Sequence, residues 1–287
     1  MKPKAEAGTY AALAVGLAVL VACAGNISQT TPATPVAMAG ATPAAPSASR
    51  PTGFLTAETL PNALATIPPA PKEGDARNTL DWDIFLKTRA LEGTERWALA
   101  KSDDSYKPVD VLKDFSCAVG VELTSENSPA LLNIISRTTI DAGMAAEAAK
   151  QFYKRTRPFQ HNPGNICIDR DGGVAKSFDY PSGHSSLGFT AGLVIAQLSP
   201  EHATAVLARG RAYGESRVVC GVHNMSAVEA GRTNAAGVFA ALQGSLAYRE
   251  MLDKARGELA AARAAGGAPK TASCAREAEL VKPLQVY

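Results

Sequence analysis

The sequence predicts an all-α, single-domain helical bundle. Three observations carry that prediction. Capped segments of helical apolar period follow one another from residue 78 to about 264, no stretch makes a convincing sheet, and turn chemistry is concentrated in one loop, 159–179. From about residue 54 to 287 the chain is long enough to enclose a full core of its own.

Each element has its own signal. Asn78 and Thr79 can cap a helix through Trp82, Ile84, Phe85, Ala90 and Leu91; 95–101 and 109–115 follow. Pro129 opens another helix, and an Ala-rich one over 138–156 carries Lys150. The loop after it holds Asn162-Pro163-Gly164-Asn165 and Asp171-Gly172-Gly173. Helices resume over 185–198, over 200–213 behind an N-cap at Ser199, and over 227–264, where Gly266-Gly267-Ala268-Pro269 ends the run. No internal repeat is evident.

The N-terminal stretch reads as processing sequence. Lys2 and Lys4 precede an apolar run over 10–22, the pattern of an export signal and short for a membrane span. Leu20-Val21-Ala22-Cys23 fits a lipobox, with Cys23 as the lipid-modified residue, while Ala22-Cys23-Ala24 fits an ordinary cleavage site. Residues 24–53, rich in Pro, Ala and Thr, are the composition of a disordered tether. The division is thus 1–23 signal, 24–53 linker, 54–287 helical domain, exported to the periplasm or held at the outer membrane. A formal charge of +2 gives no case for a nucleic-acid partner.

Candidate chemistry centres on Tyr180-Pro181-Ser182-Gly183-His184. Pro181 and Gly183 break any preceding element, Ser182 caps the next helix, and the N–H groups at that helix start suit phosphate. Lys150 and Arg157 lie seven positions apart at a helix end shaped by Pro158, where both cations can bend towards one ligand. Downstream come Ser216-Arg217 and, six residues later, His223.

The order Lys150-x6-Arg157-Pro158, Pro181-Ser182-Gly183-His184, Ser216-Arg217-x5-His223 resembles the three-part signature of the PAP2 superfamily, which includes bacterial class A non-specific acid phosphatases, lipid phosphatases and vanadium haloperoxidases. Glu95-Arg96-Trp97-Ala98-Leu99-Ala100 and Ser216-Arg217-Val218-Val219-Cys220-Gly221 resemble the class A group in particular. The resemblance covers roughly 78–251 and implies a helical bundle of that type. It also implies roles: His223 attacks phosphorus to form a phosphohistidine, and His184 protonates the leaving alcohol. Lys150, Arg157, Arg217, the Ser182 hydroxyl and the Gly183 N–H hold the phosphate oxygens. No metal or other cofactor is implied, so activity should resist EDTA. Small phosphate monoesters are the expected substrates.

One family position departs. The Asp expected four residues after His223 is Ala227, which accepts no hydrogen bond. The sequence offers Asn224, Ser226, a carbonyl, a water or Glu229 as substitutes, although Ser226-x-x-Glu229 also reads as a capping box. The expectation is a working but slowed phosphatase with a neutral group orienting His223. Alternatives are a membrane-tethered lipid phosphate or pyrophosphate phosphatase and a weakened phosphate-binding protein; a vanadium haloperoxidase is disfavoured by the short chain. His161 lies in the active-site loop, His202 in the first turn of a helix, and Glu147 one turn before Lys150 as an ion-pair partner. Exposed apolar faces on long helices would permit a homo-oligomer.

Setting Cys23 aside leaves Cys117, Cys167, Cys220 and Cys274, an even number in an exported chain, hence two disulfides. Three pairings are open. The expected one joins Cys167 to Cys220, tying the loop to the third motif, and Cys117 to Cys274, pinning the C-terminal tail. No C-x2-C spacing supports a zinc site.

Overall fold

The computed structural model describes residues 52–286, so the signal, lipobox and most of the linker expected from the sequence lie outside the described residues. Among these residues there are eleven α-helices and no strand. They are α1 (Ala63–Thr66), α2 (Ala76–Thr88), α3 (Glu95–Ser102), α4 (Pro108–Asp114), α5 (Ser116–Val119) and α6 (Pro129–Tyr153), then α7 (Gly183–Leu198), α8 (Ala203–Val219), α9 (Met225–Leu242), α10 (Leu246–Ala264) and α11 (Thr271–Leu280).

The bundle is built around α7, whose apolar composition buries 11 of its 16 residues as it packs against α6, α8, α9 and α10. Leu187, Val194, Ile195 and Leu198 of α7 join Leu131, Ile134 and Ile135 of α6, Val206 of α8, and Leu252 and Leu259 of α10 in one cluster. Each such side chain contributes about 1.5–3 kcal/mol on burial. Glycines set the approach of the neighbours. A Cβ at Gly210 of α8 would lie 3.1 Å from the Gly188 carbonyl of α7, and one at Gly231 of α9 would lie 2.6 Å from the Ser182 carbonyl. Residues 52–55 are fastened to α6, where the Asp141 carboxylate accepts from the Phe54 and Leu55 N–H groups and Arg137 donates to the Thr52 and Gly53 carbonyls.

Several boundaries differ from expectation. The two segments expected at 129 and at 138–156 are one helix, α6, because the Thr138 and Thr139 hydroxyls bond back to the Ile134 and Ile135 carbonyls without leaving helical geometry. That helix stops at Tyr153, where Lys154 takes a left-handed backbone, and Arg157 is extended; Lys150 and Arg157 therefore do not share a helix face. Helix α8 passes the expected end at residue 213, since Gly214 lets the chain press on Ser185 and does not break it. The run expected over 227–264 starts earlier and divides at Ser245, whose side chain caps α10. Helix α11 had no expected counterpart. Both expected disulfides are present, Cys117–Cys274 and Cys167–Cys220.

Candidate active site

The three motifs converge where α7 begins. Ser182 caps the helix by accepting from the Ser185 N–H at 3.3 Å, and its own N–H donates to the Ala227 carbonyl at 2.9 Å. That second bond links the start of α7 to the start of α9. Gly183 lets the Tyr106 hydroxyl lie close to the helix start, where a Cβ would meet it at 2.7 Å. His184 follows, buried, with its Nε2 donating to the Asp104 carbonyl at 2.9 Å and its ring 3.8 Å from that of Tyr106.

Arg217 stands in the last turn of α8, which reaches this far because Gly214 does not end it. It is fully buried; Nη2 donates to Asp104 Oδ1 at 2.6 Å, whereas Nε and Nη1 have no partner among the described residues. A buried guanidinium with two donors unpaired among the described residues can hold an anion. His184, Arg217, Arg157 and Tyr106 line a cavity of about 430 Å³ that also includes Ser177 and Asp104.

Arg157 is fixed from all sides. Its Nε donates to the Ser177 carbonyl at 2.7 Å and Nη2 to the Ser177 hydroxyl at 2.9 Å, while Nη1 donates to the Val222 carbonyl at 2.7 Å and faces His223 Nε2 at 2.9 Å. Lys150 donates to the Phe178 carbonyl at 2.7 Å. Burial, then the Arg157 charge, draws its ammonium down to about 8. Glu147, expected as its ion-pair partner, instead accepts from Gln151.

His223 is buried, and burial followed by the charges of Arg157, Lys150 and Arg217 holds it well below the usual imidazole range. Its Nδ1 lies 2.9 Å from Asp179 Oδ1. The same oxygen accepts from the Asn224 N–H at 3.2 Å; Oδ2 accepts from Asn224 Nδ2 at 2.8 Å and lies 3.4 Å from Arg155. Burial raises Asp179 from the ordinary carboxylate value, with Arg155 and Asn224 opposing. His184 is likewise held well below the imidazole range, by burial and then by Arg217.

The expected neutral orienter of His223 is therefore corrected: a carboxylate faces its Nδ1. None of the proposed protein substitutes takes that place. Asn224 bonds to Asp179, Ser226 to Asp81 and Arg155, and Glu229 pairs with Arg77. The expected capping box is absent, because Asn224 holds the cap position and Ser226 already lies inside α9. Sequence reading also missed Asp104 and Tyr106. His161 lines a separate cavity of about 620 Å³ beside Trp82, Lys154 and Arg155, and His202 lies away from both, bonded to Ser199.

The PAP2 superfamily model matches residues 130–249. The chain is 38% identical over 212 residues to an acid phosphatase of Zymomonas mobilis, across 74% of this chain and 80% of that one. It is 34% identical to a non-specific acid phosphatase of Providencia stuartii, across 69% and 81%, and 34% identical to one of Salmonella typhimurium, across 72% and 83%.

Proposed function

The chain belongs to the PAP2 superfamily and is an enzyme of the acid phosphatase kind; from that premise we propose that it hydrolyses small phosphate monoesters outside the cytoplasm, without a metal, through a phosphohistidine on His223. The observation that carries this reading is the pair of unpartnered donors on buried Arg217, in the same cavity as His184 and the Arg157 that touches His223 Nε2.

Phosphate oxygens bind Arg217 Nε and Nη1, with Lys150, Arg157 and the Gly183 N–H completing the positive shell. With Nδ1–H donating its hydrogen bond to Asp179 Oδ1, His223 keeps its lone pair on Nε2, and the lowered pKa keeps that nitrogen unprotonated in acid solution. Nε2 attacks phosphorus as the P–O bond to the alcohol breaks, and the leaving oxygen takes a proton from His184. Water then gives its proton to His184 while its oxygen attacks phosphorus and the P–N bond breaks, releasing phosphate. Both histidines finish as they began.

The lysines before the apolar run over 10–22 and the Leu20-Val21-Ala22-Cys23 sequence support export, with Cys23 as the lipid-bearing residue of a periplasm-facing lipoprotein. Among the described residues no helix is long and apolar enough to cross a membrane. The test is hydrolysis of p-nitrophenyl phosphate with EDTA present, from acidic to neutral pH, beside His223→Ala. Turnover that disappears in the variant is expected; turnover that survives in it, or that chelator removes and metal restores, would overturn the reading.

A further inference from the structure

We propose that Asp179 is the positioning residue for His223, so that the carboxylate missing at position 227 is supplied from another point in the chain. The inference rests on the phosphohistidine reading above and deepens it.

The geometry is that of a designed contact. Asp179 is the last residue of the long loop, directly before Tyr180-Pro181-Ser182-Gly183-His184, and its own N–H is anchored on the Arg155 carbonyl at 2.8 Å. The Ser182 N–H, three residues on, is bonded to the Ala227 carbonyl. The two segments thus lie side by side, and the side chain of residue 179 reaches the imidazole whose carboxylate partner the family resemblance places at 227. Position 227 holds a methyl group in an apolar cluster with Ala63, Ile67, Ala149, Tyr180 and Ala230. The carboxylate and the methyl are complementary solutions, one filling the polar role and the other the space.

Charge and donors agree with that role. Each of the other contacts to the carboxylate is a donor: the Asn224 N–H, the Asn224 amide and the Arg155 guanidinium. An acid O–H would find no acceptor among them, so the arrangement fits the ionised form and leaves Oδ1 to accept the His223 Nδ1–H hydrogen bond. Arg155 is itself clamped by Asn78, Asp81 and Ser226. When His223 Nε2 bonds to phosphorus the ring becomes positive, and Asp179 steadies that charge while fixing the ring orientation.

The experiment compares wild type, Asp179→Asn, Ala227→Asp, the double variant and His223→Ala in the full chain, by kcat, KM and phosphate Ki on p-nitrophenyl phosphate, with circular dichroism to verify folding. Asp179→Asn should lower kcat by ~10²–10⁴-fold with KM and Ki changed only a fewfold. The double variant, with its carboxylate back at 227, should recover at least ~10-fold of that loss. A purely structural Asp179 predicts no such rescue. Should Asp179→Asn not fold, Ala227→Asp alone decides: no increase in kcat is expected where Asp179 already serves, and a rise of ~10-fold or more overturns the proposal. A folded Asp179→Asn with near-normal kcat, or a double variant without recovery, also overturns it. If His223→Ala stays active the parent reading fails; if it is inactive while Asp179→Asn is not, only this inference does.

Discussion

Arg217 gives one nitrogen to the Asp104 carboxylate at 2.6 Å, while the other two have no partner among the described residues. The acid is partly exposed, whereas the guanidinium is buried. A phosphate entering beside it meets a like charge that also draws on the same cation. Asp104→Asn should therefore tighten inhibition by inorganic phosphate by roughly threefold to tenfold, the ~1 kcal/mol of a partly exposed ion pair. An unchanged or higher Ki would show that Asp104 does not compete.

His184 donates to a carbonyl that the leaving oxygen would replace, and its contribution should depend on how much the leaving group needs a proton. Substitution by Asn should cost ~10²–10⁴-fold in kcat for an alkyl phosphate and much less for p-nitrophenyl phosphate, whose leaving group departs as an anion. Equal losses on both substrates would point to a role in binding. Because burial and Arg217 depress the His184 pKa, the acid form is present at low pH and is lost as pH rises through a value below the usual imidazole range. For alkyl substrates kcat/KM should accordingly fall from acidic towards neutral pH.

The motif residues were legible because spacing reports them: a cation pair before a proline, a capped glycine turn, and an arginine six positions before a histidine. Their convergence followed from one helix start. Asp104, Tyr106 and Asp179 were not legible, since each is a single loop residue whose role arises only where distant segments meet. Asp179 did carry one signal, being the single carboxylate between Asp171 and Glu201 and standing next to an anion-binding helix start, where a negative charge is unfavourable unless it serves another group. The helical class followed from periodicity, but the length of α8 did not, because a glycine that permits close packing looks in sequence like one that ends a helix.

Burial draws the Lys150 ammonium down to about 8, so its positive charge is full in acid, nearly full at pH 7, and lost as pH rises through that value. Inhibition by phosphate should weaken about tenfold or more between pH 7 and 9.5, in keeping with ~1.5–3 kcal/mol for a hydrogen bond to a charged group. Lys150→Arg, which keeps its charge there, should move the decline to higher pH. A decline at the same pH in both proteins would assign it to another group.

Asp114 bears on the stability of the C-terminal region. With Asp103 and Glu277 it surrounds buried Arg209, so three carboxylates share one cation, and α11, which carries Glu277, is fastened by Cys117–Cys274. Burial raises Asp114 to about 7, with Arg209 opposing and Asp103, Glu277 and Asp110 adding to the rise. The folded state therefore holds a proton that the unfolded chain releases near the ordinary value of 3.8. Between these values the native state binds more protons at this group, so the Asp114 contribution to stability falls as pH rises from about 4 to about 7 and levels off above. The contribution is greatest in acid, the opposite of a salt-bridged carboxylate whose pKa is depressed. The two buried histidines, held below their ordinary value, act in the opposite sense, so the Asp114 part is read from a variant. Asp114→Asn should raise the Tm more at pH 7.5 than at pH 5, and an equal change at both pH values would place the effect elsewhere.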